Sequence, residues 1–357
     1  MKAAVIRETG PPQVLSIENV EEPSLQLDEV RIRVESVSVN QTLDLQIRSG
    51  ATKRGVTLPH VLGVDPAGTI TEVGSSVTGL GIGDRVVVAS AMWCNTCDAC
   101  RRGEHEDCGA TRHIGVHRWG GYAESVAVPA ANVYVIADDL EFAAASVIIR
   151  HAPTAWNLLQ TKVGLQAGET VLVMGASGGL GSTGVQLAKL AGASVIAGAG
   201  SSARVDVATK LGADHGIAYR ETSLAEGVAN ATDGRGVDVV FDNVGDPTLW
   251  PDVVASMARG ARYVTAGAHA GGQVELDLHR LYRQRLRFIG GAGHRPSDIQ
   301  HALELAADGR LSANISARMP LSQAVEAHKM AELRLTTGKI VLQPQELGDT
   351  TLTKELT

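Results

Sequence analysis

A glycine-rich loop between an apolar strand and a helix constrains this chain more than any other segment. The strand Thr170–Met174 runs into Gly175-Ala-Ser-Gly-Gly-Leu-Gly181 and then into a helix over Ser182–Leu190. Such glycines permit a tight turn and let backbone N–H groups approach a pyrophosphate, which the positive helix N-terminus stabilises. A second strand follows at Ser194–Ala199, as in a dinucleotide-binding βαβ unit. The alternative is a purely structural strand–helix turn.

The hydrophobic pattern divides the chain into segments of different type. Short strands with few helical signals predict a β-rich first third, and the alternation of apolar strands with helices after residue 169 predicts a doubly wound parallel sheet. The other predicted strands are Lys2–Ile6, Glu29–Glu35, Gly68–Val73, Arg85–Ala89, Val237–Phe241, Arg262–Ala266 and Lys339–Leu342. The other predicted helices are Asp139–Leu159, Ala203–Leu211, Leu249–Ala258, Ser297–Ala307 and Leu321–Arg334. We expect the polar tail from Pro344 onward to be a flexible extension.

The end of the second strand bears on which dinucleotide binds. NAD sites normally carry Asp or Glu there for the ribose hydroxyls, and the run from Ile196 to Arg204 contains no acid. Arg204 can pair with a 2′-phosphate, so the sequence favours NADP; the alternative is a solvated Arg204. The residues predicted from this pattern to bind the cofactor are Ser177, Gly178, Gly179, Leu180, Gly181, Ser201, Ser202, Arg204, Asn243, Gly245 and Gly267.

Composition excludes several other functions. The 357 residues suggest about two domains, and the net charge of −7 argues against nucleic acid or anionic membranes as main partners. No apolar run reaches the ~18 residues of a membrane span, and the N-terminus lacks a signal-peptide core. We therefore expect a cytoplasmic protein that acts on a small-molecule substrate.

The cysteines form one local cluster. All four lie in the pattern Cys94-x2-Cys97-x2-Cys100-x7-Cys108, which suits a closed tetrahedral shell of thiolates around a structural zinc ion. The alternatives are an iron–sulfur cluster and free thiols. The turn at Gly103 and the strand-rich surroundings favour zinc.

These motifs together resemble the medium-chain dehydrogenase/reductase superfamily, which includes zinc alcohol dehydrogenases and quinone oxidoreductases. The resemblance extends from Met1 to Leu342 and includes the cysteine lobe, Pro59-His-Val-Leu-Gly-Val-Asp65, Gly83-Asp-Arg85, Leu211-Gly-Ala-Asp214 and Gly338-Lys-Ile-Val-Leu342. It implies an α/β protein with a β-rich GroES-like catalytic domain over residues 1–148, including the zinc lobe at 94–108. It further implies a Rossmann domain over 149–289, a return to the catalytic domain over 290–357, and a homodimer or a tetramer.

The departures from the family pattern concern its catalytic zinc. The zinc alcohol dehydrogenases hold this ion with a Cys, a His-Glu pair and a later Cys or Asp. The first of these positions falls here on Asn40 or Gln41, the pair reads Val64-Asp65, and the later position falls on Arg150. A catalytic zinc is therefore not expected, although the zinc-independent branch that this pattern resembles usually lacks the cysteine lobe.

The resemblance also suggests residues for the chemistry. Thr42 lies in the family's hydroxyl-relay region, and His151 could deliver a proton, because imidazole as a chemical group suits proton transfer near neutral pH. Arg150 could stabilise an oxyanion. Thr154 matches a position beside the nicotinamide, and Tyr219 matches a tyrosine near the 2′-phosphate. For His151, Arg150 and Tyr219 the alternatives are a structural histidine, a salt-bridge partner and surface packing.

The favoured interpretation is an NADPH-dependent oxidoreductase that transfers hydride to a quinone, an enone or an activated carbonyl without catalytic zinc. An alcohol dehydrogenase is the first alternative. A non-catalytic nucleotide-binding or structural protein is the second.

Overall fold

The computed structural model describes residues 1–52 and 55–345. Its strands are β1 (Lys2–Ile6), β2 (Leu15–Asn19), β3 (Glu29–Ser38), β4 (His60–Val61), β5 (Ala67–Val73), β6 (Arg85–Val88), β7 (Ala91–Met92), β8 (Arg112–His113), β9 (Ser125–Pro129), β10 (Val133–Val135), β11 (Thr170–Met174), β12 (Ser194–Ala199), β13 (His215–Ala218), β14 (Val237–Asp242), β15 (Met257–Thr265), β16 (Arg287–Gly290), β17 (Ile315–Pro320) and β18 (Lys339–Gln343). Its α-helices are α1 (Gln46–Ser49), α2 (Asp98–Arg101), α3 (Phe142–Trp156), α4 (Gly179–Leu190), α5 (Ser202–Lys210), α6 (Leu224–Ala231), α7 (Trp250–Ala255), α8 (Leu278–Gln284), α9 (Pro296–Ala307) and α10 (Ala324–Glu332). Two π-helical segments cover Gln41–Leu45 and Asn157–Lys162.

The chain divides into two compact units. The first comprises Met1–Arg150 and the chain from Leu303 onward, and the second comprises His151–Ala302. The sequence predicts these boundaries after residues 148 and 289. The second boundary lies further along the chain because most of α9 belongs to the second unit.

The first unit is built on a largely antiparallel sheet with the strand order β10-β6-β5-β3-β18-β17, and β9 pairs with β3. Strand β3 is its centre because its alternating residues, such as Val30, Ile32 and Val34, are fully buried in the core. A small sheet of β2, β1 and β4 packs into the same core, since Val5 and Val61 belong to it too. This is the GroES-like architecture that was expected.

The second unit is a parallel sheet in the order β13-β12-β11-β14-β15-β16. Its central strand β11 is buried over Val171–Met174, which explains why the sequence shows a continuous apolar run there. The order reverses between β11 and β14, the topological switch point at which ligands bind in doubly wound sheets. The expected Rossmann fold is confirmed.

Some elements differ from the sequence prediction. Strand β15 begins at Met257, before the expected Arg262, and a register shift interrupts its pairing with β14. The short strands β13 and β16 and the helices α6 and α8 were missed, since four-residue strands with glycine or charge carry little periodic signal. Within the described residues no helix is long and apolar enough to cross a membrane. The expected flexible extension lies outside the described residues apart from Pro344 and Gln345.

Candidate functional site

The glycine loop of the second unit is shaped to approach an anion. Gly175 adopts φ +67°, and a Cβ on Gly181 would lie 2.1 Å from the carbonyl oxygen of Gly175. Only glycine allows the turn and the helix to pack this closely. Gly178 caps helix α4 without a side-chain hydrogen bond, so the first N–H groups of α4 keep their capacity for a ligand. This cradle fits the diphosphate of a dinucleotide. Of the other predicted loop residues, Ser177 lies in the turn, and Gly179 and Leu180 begin helix α4.

A second group of predicted residues meets at the N-terminus of α5. Ser201 is its N-cap, and a Cβ on Gly200 would lie 3.7 Å from both Tyr219 Oη and Arg220 Nε. Burial raises the pKa of Tyr219, whereas the charges of Arg220 and Arg204 act to lower it, so both guanidinium groups lie near the phenol. The structure therefore brings Ser201, Arg204 and Tyr219 to one place and adds Arg220.

The same place contains an acid that the sequence analysis missed. Glu221 Oε1 accepts a hydrogen bond from the backbone N–H of Ser202 over 3.0 Å, and its Oε2 accepts one from the Ser202 hydroxyl over 2.5 Å. These bonds lower the pKa of Glu221. Glu221 could have been found from the sequence, because it follows Tyr219 by two residues. It was overlooked because it follows the third strand of the parallel sheet, whereas the acid of an NAD site normally follows the second.

The carboxyl ends of β14 and β15 hold polar groups prepared for a ligand. Asn243 is 7% exposed, and its side-chain Oδ1 and Nδ2 have no hydrogen-bond partner among the described residues. A buried amide without hydrogen-bond partners destabilises the folded protein unless a ligand supplies those partners. Next to it, Asp242 accepts the Tyr263 hydroxyl over 2.9 Å and the N–H of Gly245 over 3.3 Å. Predicted Gly267 follows β15 and donates its N–H to Thr265 Oγ1.

His151 lies beside the cofactor loop. Its ring stands so close to Gly179 that a Cβ there would lie 2.4 Å from Nε2. Thr154, one turn further along α3, contacts His294 Nδ1 through its hydroxyl over 3.2 Å. The contact with Gly179 places the His151 ring against the first turn of α4, and the role of His151 as a proton donor stays a prediction.

The cysteine lobe of the first unit fits a zinc ion. The four Sγ atoms of Cys94, Cys97, Cys100 and Cys108 all lie within 4.8 Å of one another. The Cys94 Sγ lies 3.9 Å from that of Cys100 and 3.6 Å from that of Cys108. A tetrahedron with Zn–S bonds of ~2.3 Å has edges of about 3.8 Å, so these separations match. Backbone N–H groups of Thr96 and Cys97 lower the pKa of the Cys94 thiol to about 5, which favours the thiolate that binds metal.

The positions of a second, catalytic zinc do not fit a metal. Val64 is fully buried in the apolar core, and Arg150 carries a positive charge. Asn40 directs its amide to other partners: Nδ2 donates to Asp65 Oδ2 over 2.9 Å, and Oδ1 accepts from Lys339 Nζ over 2.8 Å. This set of side chains offers no soft ligand, so we derive no step through a metal here.

The groups around Asn40 form one buried network in the first unit. Asp65 also accepts the N–H and the hydroxyl of Ser38, over 3.0 and 2.7 Å. Asp44 accepts the backbone N–H groups of Asn40 and Gly63 over 2.8 and 3.0 Å. Burial raises the pKa of Asp44 to about 7, and the charge of Asp65 adds to this rise.

Two cations compensate these carboxylates. Burial raises the pKa of Asp65, and the charges of Lys339 and Arg150 oppose this rise. Burial also lowers the pKa of Lys339 to about 8, while both carboxylates act to raise it. The predicted Thr42 lies on the neighbouring π-helical segment, partly exposed and two residues from Asp44. The contact between Lys339 and Asn40, almost 300 residues apart, could not be predicted from local sequence patterns.

The structure combines a glycine loop at the switch point of a parallel sheet with a cysteine lobe in a GroES-like unit. These two features define a two-domain dehydrogenase that uses a nucleotide cofactor. Comparison with known proteins agrees. Residues 26–138 match the family model for the alcohol dehydrogenase GroES-like domain, and residues 179–308 match that for the zinc-binding dehydrogenase domain.

Individual relatives match over nearly the whole chain. An NAD-dependent alcohol dehydrogenase of Sulfolobus acidocaldarius is 32% identical, over 96% of this chain and 99% of the relative. An acryloyl-coenzyme A reductase of Sulfurisphaera tokodaii is 28% identical, over 96% of this chain and 100% of the relative. A crystal structure of an NAD-dependent alcohol dehydrogenase superposes with a TM-score of 0.92 at 35% identity, covering 98% of this chain and 100% of that one. The chain belongs to the medium-chain dehydrogenase/reductase superfamily of oxidoreductases.

Proposed function

We propose that this chain is an NADPH-dependent reductase that transfers hydride directly to a quinone, an enone or another activated carbonyl, without a catalytic metal. The observation that carries this proposal is the side-chain set at the catalytic-zinc positions, where Val64 and Arg150 cannot ligate and Asn40 is bonded to Asp65 and Lys339. Reduction of a simple ketone would lose the carbonyl polarisation that a metal gives. Conjugated acceptors depend less on it and need positioning and a proton.

NADPH, when bound, supplies the hydride. The open N-terminus of α4 holds the diphosphate, and the buried Asn243 amide completes its hydrogen bonds on the cofactor. The protein must also stabilise the negative charge that reaches the acceptor oxygen, and Arg150 and Lys339 are the cations of the first unit's buried network. We propose Arg150 as the charge that stabilises the reacting oxygen, and its interaction with Asp65 supports a place beside this network.

The preference for NADPH rests on the residues around α5. No acid ends β12, and Arg204, Arg220 and Tyr219 converge beside Ser201. Arginine and tyrosine bind a phosphate well, and a ribose with free hydroxyls gains less from them. Glu221 acts in the opposite direction, because its carboxylate occupies the donors of Ser202. A 2′-phosphate has to displace this carboxylate, so we expect a moderate preference and not an exclusive one.

An NAD-dependent alcohol dehydrogenase is the second candidate, and the names of the relatives favour it. The acryloyl-coenzyme A reductase supports the first candidate, since the double bond that it is named for is conjugated to a carbonyl. Both candidates transfer hydride on the same fold. They differ in the polarisation that the acceptor needs and in the nucleotide.

The test is oxidation of NADPH and NADH over a panel of quinones, enones, aldehydes and ketones, paired with reduction of NADP⁺ and NAD⁺ by alcohols. We expect turnover of conjugated acceptors with NADPH, unchanged by added zinc. Alcohol oxidation that increases with added zinc would establish the second candidate instead. Tight nucleotide binding without turnover of any substrate would indicate a non-catalytic nucleotide-binding protein.

We further propose a homodimer that acts on small molecules and has neither nucleic acid nor membrane as a partner. Strand β16 is the outer strand of the parallel sheet, since within the described residues it pairs with β15 alone. The preceding segment exposes Leu276, Leu278 and Tyr282, which are 40%, 65% and 61% exposed. An open strand edge beside apolar side chains suits pairing with a second copy.

A further inference from the structure

Glu221 lies close to the end of strand β12, although it follows strand β13 in the chain. The two strands are parallel neighbours, and their last residues, Ala199 and Ala218, are paired. The backbone N–H of Tyr219 continues this pairing, since it donates to the Ala199 carbonyl oxygen over 2.9 Å. The backbone N–H of Glu221 then donates to the Ala218 carbonyl oxygen over 2.8 Å and closes a turn. The register of the sheet therefore brings an acid to a strand end whose own sequence contains none.

Two hydrogen bonds hold the Glu221 carboxylate at the N-terminus of helix α5. Oε1 accepts the backbone N–H of Ser202 over 3.0 Å, and Oε2 accepts the Ser202 hydroxyl over 2.5 Å. Among the residues that the structure describes, no other group donates to this carboxylate. A carboxylate has about four acceptor positions, two on each oxygen. Because Glu221 is exposed, each oxygen keeps one acceptor position that a ligand can reach.

The free acceptor positions of Glu221 match a vicinal diol. In NAD sites an acid at the end of the second strand accepts the hydroxyls of the adenosine ribose. These two neighbouring hydroxyls offer two donors, one for each carboxylate oxygen of Glu221. A 2′-phosphate replaces one donor by a negative charge, which the carboxylate repels. The observed position of Glu221 therefore suits the ribose of NADH and opposes that of NADPH.

A 2′-phosphate finds other partners at the same place once the carboxylate has turned away. Ser202 then offers its backbone N–H and its hydroxyl, and the N-terminus of α5 adds a partial positive charge. The guanidinium groups of Arg204 and Arg220 lie near the Tyr219 hydroxyl, since their charges act on its pKa. Moving Glu221 breaks two exposed hydrogen bonds, which water can replace.

We propose that Glu221 admits NADH to this site, because its carboxylate accepts the 2′- and 3′-hydroxyls of the adenosine ribose while Ser202 holds it in place. For NADPH the carboxylate turns away, and Ser202 donates to the 2′-phosphate instead. The chain thus uses both nucleotides, and Glu221 sets the ratio of the two affinities. This inference rests on the proposed function, which makes a nicotinamide nucleotide the cofactor. All the residues that it needs belong to the second unit.

The first test uses ADP and 2′-deoxy-ADP, which carry the adenosine ribose and the diphosphate but no nicotinamide. The wild type should bind ADP about tenfold more tightly, since a hydrogen bond to a charged group is worth this much or more. Glu221→Ala should bring the ratio of the two affinities close to one. Any intrinsic difference between the two sugars persists in the variant. A ratio that is the same in wild type and variant would overturn the proposal.

The second test compares the intact nucleotides by fluorescence titration. Glu221→Ala should weaken NADH binding about tenfold and strengthen NADPH binding, because it removes the acceptor of one nucleotide and the competitor of the other. Ser202→Ala should weaken both, since it removes the anchor of the carboxylate and a donor to the phosphate. Glu226→Ala is the matched control, because Glu226 is an exposed acid on α6 of the same unit.

Two results of this titration would overturn the proposal. A loss of both nucleotides in Glu221→Ala would assign Glu221 a structural role, and an unchanged Tm would exclude unfolding as the cause. Stronger NADPH binding with unchanged NADH binding would show that Glu221 only excludes the phosphate.

Neither test requires turnover, so the two proposals can fail separately. A chain that reduces no acceptor, but whose preference for ADP over 2′-deoxy-ADP depends on Glu221, would refute the proposed function and leave this inference standing. Reduction of conjugated acceptors with NADPH, combined with an NADH affinity that does not depend on Glu221, would refute this inference alone. No binding of ADP or NADH up to millimolar concentration would refute it as well.

Discussion

The imidazole of His151 fills the space into which a side chain at residue 179 would project, because a Cβ on Gly179 would lie 2.4 Å from His151 Nε2. Separations below about 3 Å do not occur for real Cβ atoms, so a side chain at residue 179 would force the His151 ring to move. The glycine belongs to the first turn of the helix that would hold the diphosphate. The histidine is therefore coupled to the cofactor loop.

Gly179→Ala should weaken binding of both nucleotides and lower thermal stability. Overpacking of this kind typically costs 1–3 kcal/mol, although alanine by itself suits a helix better than glycine. His151→Ala removes the clash, so the double variant should recover most of the stability. The measurements are nucleotide affinity by fluorescence titration and the Tm. A double variant no better than Gly179→Ala would show that the two residues are not coupled.

Arg204→Ala should weaken NADPH binding by ~1–3 kcal/mol and leave NADH nearly unchanged, because only NADPH carries the 2′-phosphate. Lys210→Ala, at the other end of α5, is the control. Glu221→Gln should strengthen NADPH binding, since it removes the carboxylate that competes for the donors of Ser202. An equal loss of affinity for NADPH and NADH in Arg204→Ala would assign that arginine a structural role.

Purified protein should contain one zinc ion per chain, held by the four cysteines of the lobe. Cys97→Ser should lose it and lower the free energy of unfolding by about 4 kcal/mol or more, since metal loss belongs to the most destabilising changes. The same result is expected for Cys100→Ser, because the four thiolates share one ion. Metal analysis and urea unfolding measure both effects. Two zinc equivalents in the wild type would contradict the metal-free active site.

The stability of the first unit should fall in acid because of His328. Burial lowers the pKa of His328 to about 3, with a smaller contribution from the charge of Arg48. Between pH 6.5 and about 3 the unfolded chain binds a proton that the folded one does not, so stability decreases as pH falls through this window, by at most ~1.4 kcal/mol per pH unit.

His328→Gln should remove this part of the pH dependence and keep the contact, since a glutamine amide can also hydrogen-bond to Tyr122 Oη, which lies 3.1 Å from His328 Nε2 in the wild type. His279→Gln, at an exposed site, should leave it intact. Thermal unfolding measured from pH 4 to pH 7 gives the slope of stability against pH for the wild type and for each variant. Parallel slopes for wild type and His328→Gln would contradict the assignment.

Sedimentation should show a homodimer. Leu278→Asp with Tyr282→Ser should shift the equilibrium toward monomer, because a buried charge at an apolar contact is costly. The exposed Ile82, which lies in the first unit and is 73% exposed, provides Ile82→Asp as the control. A wild type that sediments only as a monomer would contradict the proposed assembly.

The glycine loop and the cysteine lobe could be predicted because their geometry is local. Gly175 and Gly181 lie within one turn, and the zinc-fitting thiols lie within fifteen residues, so spacing alone fixes which atoms can meet. The strands β11 and β12 were likewise predictable, since burial on both faces leaves a continuous apolar run. Spacing could not predict which way the His151 side chain points, because a residue on a helix can face any element that packs against that helix.

The sequence by itself determined that this chain is an oxidoreductase with a zinc-fitting lobe, and that Val64 and Arg150, which cannot ligate a metal, stand at two of the catalytic-zinc positions. Only the tertiary structure brought Lys339 to Asn40, because these residues are 299 positions apart and meet through the pairing of β18 with β3. It also decided that Glu221 occupies the donors of Ser202 and that the Asn243 amide is left for a ligand. Such contacts depend on which strands become neighbours, and local periodicity contains no information about that choice.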